Sequence, residues 1–283
     1  MNSPIGIFDS GLGGLSVAAR VLDTLPNERI IYFADNVHVP YGEKPLDVIR
    51  GFALEITRFL VGRGAKAVVM ACNMSSAVAL ETARERYPDV LILGMIEPGA
   101  RAAVSVANGK PIGVLATTGT IDNGAYERAI HELDPSCKVI GQACPKFVPL
   151  VESGQAHSED AEAAARTYVA PLNRELCSTI VLGCTHYPFV MQAIEAAAGP
   201  DVTIVDPAEA VALELARLLA ERGIAGDTLT APHEFYASGE TAGFAALGGA
   251  FLGRQIEEVR RVEWGVDLGE LAPAGSRPSA DTF

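Results

Sequence analysis

Short, wholly apolar runs alternate with longer amphipathic stretches along the chain. Ile5-Gly6-Ile7-Phe8 predicts a strand, and a glycine-rich turn leads from it into a helix over about 15–25 that Pro26 stops. Ile30-Ile31-Tyr32-Phe33 predicts a second strand ending near Asp35, residues 46–64 a helix, and Ala67-Val68-Val69-Met70 a third strand running into Cys72. A helix over about 75–87 and a strand over 91–95 follow. Strands that are apolar throughout, rather than at alternate positions, are buried on both faces, as in a parallel sheet covered by helices on either side.

The pattern then starts again. Ile112-Gly113-Val114-Leu115 predicts a strand, Thr117-Thr118-Gly119-Thr120 a turn, and the next stretch a helix to about His131. A short strand at 139–140, a helix over 158–172, a strand over 179–182 leading into Gly183-Cys184, a helix after Pro188 and a strand over 202–205 complete it. Aligning Ile5-Gly6-Ile7 with Ile112-Gly113-Val114 sets Asp9 opposite Ala116. Cys72 then lies 63 positions past Asp9, and Cys184 lies 68 past Ala116.

The reading is an α/β fold in which one parallel-sheet unit is used twice. The first domain is 1–97 together with 208–264, the second is 98–207, and 265–283 is a flexible tail. The return to the first domain is expected because Leu213, Leu215, Leu218 and Leu219 give the helix after Pro207 an apolar stripe. Open α/β sheets bind ligands at the carboxyl ends of their strands. Two such domains facing each other would put the two thiols on opposite walls of one cleft.

Composition narrows the class. The 283 residues are 49% hydrophobic and 20% charged, which fits a globular protein of about two domains and excludes disorder or a fibre. With 35 acidic residues against 22 Lys plus Arg, the net charge of −13 disfavours a nucleic-acid binder. No uncharged apolar stretch reaches about 18 residues, so no membrane span is expected. No export signal is expected from the residues at the start, and the five cysteines include no CxxC pair; reduced thiols in the cytoplasm are therefore expected.

Gly11-Leu12-Gly13-Gly14 follows a strand and opens a helix, but Ser16 stands where a dinucleotide-binding loop has its third glycine, and no Gly-Lys-Ser/Thr follows. A tight turn that exposes Asp9 and Ser10 accounts for it better. Cys72-Asn73 and Cys184-Thr185-His186 admit two readings. A cysteine after a strand is commonly a small core hydrophobe. Two in matching places of a repeated unit, each before a helix start whose dipole lowers a thiol pKa, fit a reactive pair equally well. Zinc is disfavoured because the usual ligand spacing is absent. Cys137, Cys144 and Cys177 have no comparable setting.

Five motifs in order then carry a resemblance: Asp9-Ser10-Gly11-Leu12-Gly13-Gly14-Leu15, Val39-Pro40-Tyr41-Gly42, Ala71-Cys72-Asn73, the segment from Ala143-Cys144-Pro145 to Val151-Glu152, and Leu182-Gly183-Cys184-Thr185-His186-Tyr187-Pro188. From Ile5 to about Gly253 the chain resembles the glutamate racemases, cofactor-independent members of the aspartate/glutamate racemase family. The resemblance implies two flavodoxin-like domains related by a pseudo-twofold repeat, with the active site in the interdomain cleft. It implies Cys72 and Cys184 as the acid/base pair, Cys72 taking the proton from D-glutamate and Cys184 from L-glutamate. Asp9 and His186 would assist proton transfer, with Glu152 in support. Asp9, Ser10, Tyr41, Gly42, Asn73, Met74, Thr117, Thr120, Thr185 and His186 would hold the substrate. No metal or other cofactor is implied; D-glutamate for peptidoglycan and cell shape is the implied role, and a homodimer is expected. The chain departs from the family pattern at Asn36, where a threonine is usual, and at Met74, which lacks the hydroxyl of the usual threonine.

The chemistry explains the need for two thiols. Racemisation removes the α-proton from one face and delivers another to the opposite face, which one thiolate and one thiol across a cleft accomplish. A free thiol has a pKa near ~8.5, so holding the thiolate at neutral pH costs about 2 kcal/mol, and a helix N-terminus supplies only roughly 0.3–1 kcal/mol of that. A neighbouring acid/base residue must provide the remainder. Three rival readings are another two-cysteine isomerase or lyase such as an aspartate racemase, a Cys184–His186 hydrolase with no use for Cys72, and a binding module without turnover.

Overall fold

The computed structural model describes residues 3–229 and 231–268. The chain runs β1 (Ile5–Asp9), α1 (Leu15–Thr24), β2 (Ile30–Ala34), α2 (Leu46–Gly62), β3 (Ala67–Met70), α3 (Asn73–Arg86), β4 (Leu91–Gly94) and α4 (Ile96–Ala107). It continues through β5 (Ile112–Ala116), α5 (Thr118–Asn123), α6 (Ala125–Leu133), β6 (Val139–Ala143), α7 (Phe147–Glu152), α8 (Glu159–Arg174), β7 (Thr179–Gly183), α9 (Met191–Ala198) and β8 (Thr203–Val205). It closes with α10 (Pro207–Glu221), β9 (Glu234–Ala237), α11 (Ala242–Leu252) and β10 (Arg260–Arg261).

Two parallel sheets result, ordered β10-β9-β2-β1-β3-β4 and β6-β5-β7-β8. The order β2-β1-β3-β4 of the first recurs as β6-β5-β7-β8 in the second, so the repeat read from the apolar runs is a repeat of topology. Register makes it closer still. Ile5 pairs with Ala67, and Ile112 pairs with Thr179; Cys72 and Cys184 each stand five positions past that partner. Strands β1, β3, β5 and β7 are buried throughout because helices cover both faces, with separate apolar clusters above and below each sheet.

Several expectations differ from the fold. Residues 96–107, for which no element was expected, form α4. Pro98 falls in its first turn, where the backbone N–H has no partner within the helix and its loss is tolerated. Thr118, read as part of a turn, already starts α5, which Gly124 ends at φ +68°. The helix expected after Pro188 begins as a 3₁₀ turn at Tyr187–Val190, and α9 follows. Cys72 therefore occupies the N-cap position of an α-helix and Cys184 does not. Leu268, read as part of the tail, is 2% exposed within an apolar cluster of the first sheet, while Val266 beside it is exposed. The remainder of that expected tail lies outside the described residues. Among the described residues no helix is long and apolar enough to cross a membrane.

Candidate active site

The carboxyl ends of β1, β3, β5 and β7 converge between the sheets on a narrow pocket. Cys72 and Cys184, 7% and 8% exposed, lie on its walls from the first and second sheet units. Ser10, Tyr41, Gly42, Asn73 and Met74 line it from the first unit, and Thr117, Thr120, Thr185 and His186 from the second. The two other predicted residues lie one layer behind: Asp9 is fully buried, and Glu152 stands behind His186.

Local chain geometry sets each group. The turn after β1 brings the Gly11 and Gly14 N–H groups onto Asp9 Oδ2, at 3.2 and 3.0 Å, so the glycine-rich loop binds this protein's own carboxylate. Thr185 Oγ1 approaches Asp9 Oδ1 at 3.4 Å, tying the two units together beneath the pocket. On the same seam Tyr126 Oη donates to Asn73 Oδ1 at 2.7 Å. That bond turns Asn73 Nδ2 toward a place where, among the described residues, it has no hydrogen-bond partner, a buried donor in a residue lining the pocket. Tyr126 escaped the sequence reading because nothing in the chain shows that α6 abuts α3. Val39, Pro40 and Val148 also line the pocket; all three lie inside motifs that carry the resemblance, though none was singled out for the site.

The two thiols sit in unlike surroundings. His186 Nδ1 lies 3.8 Å from Cys184 Sγ, and its Nε2 lies 2.7 Å from Glu152 Oε1. Burial alone would lower the His186 pKa. The hydrogen bonds to Cys184 and Glu152, with the charges of Cys184 and Asp9, outweigh burial and lift it to about 10. A buried imidazolium thus stands between Cys184 and a carboxylate whose side chain is 29% exposed, against 3% for His186. Cys72 has no imidazole partner. Burial first, and then the Asp9 charge, push its thiol up to about 12, with Ser75 pulling the other way. Burial likewise raises Asp9, against the pull of His186 and the two N–H donors. Among the described residues no group of three His, Cys, Asp or Glu side chains is placed to hold a metal ion.

The His186 shift carries a pH signature. Its folded pKa of about 10 lies above the ordinary ~6.5, so its stabilisation is full below ~6.5 and is lost as pH rises through about 10. Glu152→Gln removes one of the groups that raise it. The variant is expected to melt below the wild type near neutral pH, with the gap closing as pH rises toward about 10. Thermal melts across that range check this; a gap that stays constant with pH contradicts it.

Two close approaches hold the units together at the pocket. A Cβ on Gly13 would fall 2.5 Å from both His186 Nδ1 and Thr185 Oγ1. A Cβ on Gly119 would fall 2.6 Å from the Gly42 carbonyl oxygen. Only hydrogen fits at either place.

Comparison with known proteins gives the family. The sequence model of the Asp/Glu/Hydantoin racemase family matches residues 13–215. The glutamate racemase of Desulforudis audaxviator strain MP104C is 44% identical over 266 residues, 91% of this chain and 97% of that protein. The crystal structure of glutamate racemase isoform RacE1 from Bacillus anthracis superposes with a TM-score of 0.89 at 38% identity, covering 94% of this chain and 99% of that one. The glutamate racemase of Francisella tularensis subsp. tularensis SCHU S4, solved in complex with D-glutamate, does so with a TM-score of 0.87 at 33% identity, over 93% and 98% of the two chains. The chain belongs to the Asp/Glu/Hydantoin racemase family, among its glutamate racemases, and is an isomerase of amino acids.

Proposed function

We propose that this protein interconverts L- and D-glutamate by proton transfer at the α-carbon between Cys72 and Cys184. The observation that carries the reading is the pair of buried thiols at equivalent strand ends of two repeated sheets, facing one pocket. One of them has a charged imidazole beside it and the other does not. A two-base racemase needs an acid/base group on each wall, and the two thiols meet that need with different proton partners.

In this mechanism Cys184 removes the α-proton of L-glutamate while Cys72 protonates the opposite face, and the roles reverse for D-glutamate. His186 stabilises the anionic sulfur of Cys184, and Glu152 holds the imidazolium and opens toward solvent. A proton taken up at Cys184 thus has a route outward through His186 and Glu152. Asp9 lies beneath both walls and interacts electrostatically with Cys72 and His186. The substrate's carboxylates and amine would be held by the free Asn73 Nδ2 donor, the hydroxyls of Ser10, Thr117, Thr120 and Thr185, and the wall formed by Tyr41 and Gly42. Met74 offers that wall its backbone and an apolar side chain. In the cell we place the reaction in the cytoplasm, in a homodimer, supplying D-glutamate for peptidoglycan. The Cys184–His186 hydrolase reading is weaker, because it leaves Cys72 on the pocket wall without a task.

Steady-state racemisation of glutamate and of aspartate tests the substrate. Glutamate is expected to turn over and aspartate poorly; turnover of aspartate alone overturns the substrate assignment. Met74→Thr refines the test. Its side chain is buried in an apolar cluster, so the loss of contacts is expected to lower stability by about 1–3 kcal/mol. Met74 already offers the substrate its backbone, so KM for glutamate is expected to change little; a fall of about tenfold or more, the worth of one hydrogen bond to a charged group, would show that a hydroxyl at this position binds the substrate.

A further inference from the structure

The carboxylate of Asp35, fully buried at the end of β2, gathers donors from two distant parts of the chain. Its Oδ2 accepts from Tyr41 Oη at 2.5 Å, and His38 Nδ1 lies 2.9 Å from the same oxygen. Its Oδ1 accepts from Ser238 Oγ at 2.7 Å and from Trp264 Nε1 at 2.9 Å. Rings reinforce the assembly: His38 stacks on Phe52 at 4.1 Å, and the edge of Trp264 meets both, at 5.3 and 5.2 Å. Tyr41 stacks on the same Phe52 at 5.5 Å.

This assembly has a consequence for the pocket. Tyr41 lines the pocket, but its hydroxyl is committed to Asp35 on the far side. What Tyr41 presents to a ligand is its ring and backbone, aimed by that bond. Gly42, next in sequence, meets Thr117 and Gly119 of the second unit across the cleft. The placement of the 36–42 segment therefore depends on a buried acceptor whose other donors come from Ser238 and Trp264, about two hundred residues later. A neutral assembly of apolar groups would fill the space without these contacts, whereas a buried carboxylate left short of donors is strongly unfavourable. The arrangement fixes one position of the segment.

We infer that Asp35 and Trp264 are positioning residues for the proposed racemisation, holding the 36–42 segment so that Tyr41 and Gly42 form a preorganised wall of the substrate pocket. The inference rests on the reading of the pocket as the racemase site. It concerns binding more than chemistry, since neither residue lines the pocket with the two thiols.

Trp264→Phe keeps a ring against His38 and Phe52 and removes only the Nε1 donor; Asp35→Asn keeps the shape and changes the acceptor. Trp264→Phe, which loses one hydrogen bond to a charged group, is expected to raise KM for glutamate roughly tenfold, and Asp35→Asn, whose amide NH2 must face groups that a carboxylate oxygen accepted from, by at least as much, while kcat stays within about twofold in both. Amide hydrogen exchange in 36–42 is expected to quicken in both variants, with β5 and β7 unchanged. Wild-type exchange in 36–42 overturns the inference, and so does quicker exchange with a wild-type KM, which would make the assembly merely structural. Absence of racemisation in the wild type itself would instead remove the proposed function; the exchange measurement then judges the tether alone, with unchanged exchange overturning it.

Discussion

Cys72→Ser and Cys184→Ser are each expected to slow racemisation by at least about two to four orders of magnitude, the range that one well-placed acid or base contributes. A serine hydroxyl keeps the size but is too weakly acidic to serve either role at neutral pH. The loss must appear in both directions equally in kcat/KM, because the enantiomers have the same free energy and the equilibrium constant is unity. The direction shows instead in solvent exchange. With Cys72→Ser, Cys184 still has His186 and Glu152 to pass a proton to water, so L-glutamate is expected to exchange its α-proton without racemising. With Cys184→Ser, any exchange shifts to D-glutamate and is slower, because Cys72 has no imidazole relay and its thiol is raised to about 12. Deuterium incorporation from heavy water, followed separately for each enantiomer, measures this. Normal racemisation by either variant defeats the two-thiol mechanism.

Gly119→Ala is expected to reduce kcat by about a hundredfold with little loss of fold stability. The added methyl would sit 2.6 Å from the Gly42 carbonyl oxygen, and a backbone atom has no rotamer to yield with. The 36–42 segment or the start of α5 must shift, and misplacing groups at the site by about 1 Å is enough for a hundredfold loss. Gly13→Ala presses instead on the His186 ring and the Thr185 hydroxyl, so it is expected to disturb the Cys184 relay as well. Kinetics and thermal melts together decide the matter. A Gly119→Ala protein with normal kcat would show that the approach of Gly42 and Gly119 is not required for turnover.

Much of this protein was legible in its residues because the signals were local. A parallel strand buried on both faces must be apolar at every position, so β1, β3, β5 and β7 could be read directly, and with them the repeat. The placement of Cys72 and Cys184 at strand ends followed from the same runs. Helix α4 was not legible, since Pro98 and Gly99 argue against a helix unless the first turn is recognised and Gly99 is known to pack on Pro207. The motifs that carry the family resemblance named Glu152 and His186, but not that they touch.

What the sequence alone determined is therefore the fold class, the doubled unit and the placement of two cysteines at strand ends, because each depends on neighbours a few residues away. Only the tertiary structure decided how those thiols differ. Cys72 and Cys184 occupy equivalent ends of equivalent strands, yet one is buried beside Asp9 and the other stands beside an imidazolium held by Glu152. Electrostatic environment in a buried cleft is set by groups brought together from across the chain, and no local pattern encodes it. The same holds for Asp35, whose donors Tyr41, Ser238 and Trp264 lie far apart in sequence and meet only because β9 and the segment after it return to the first sheet.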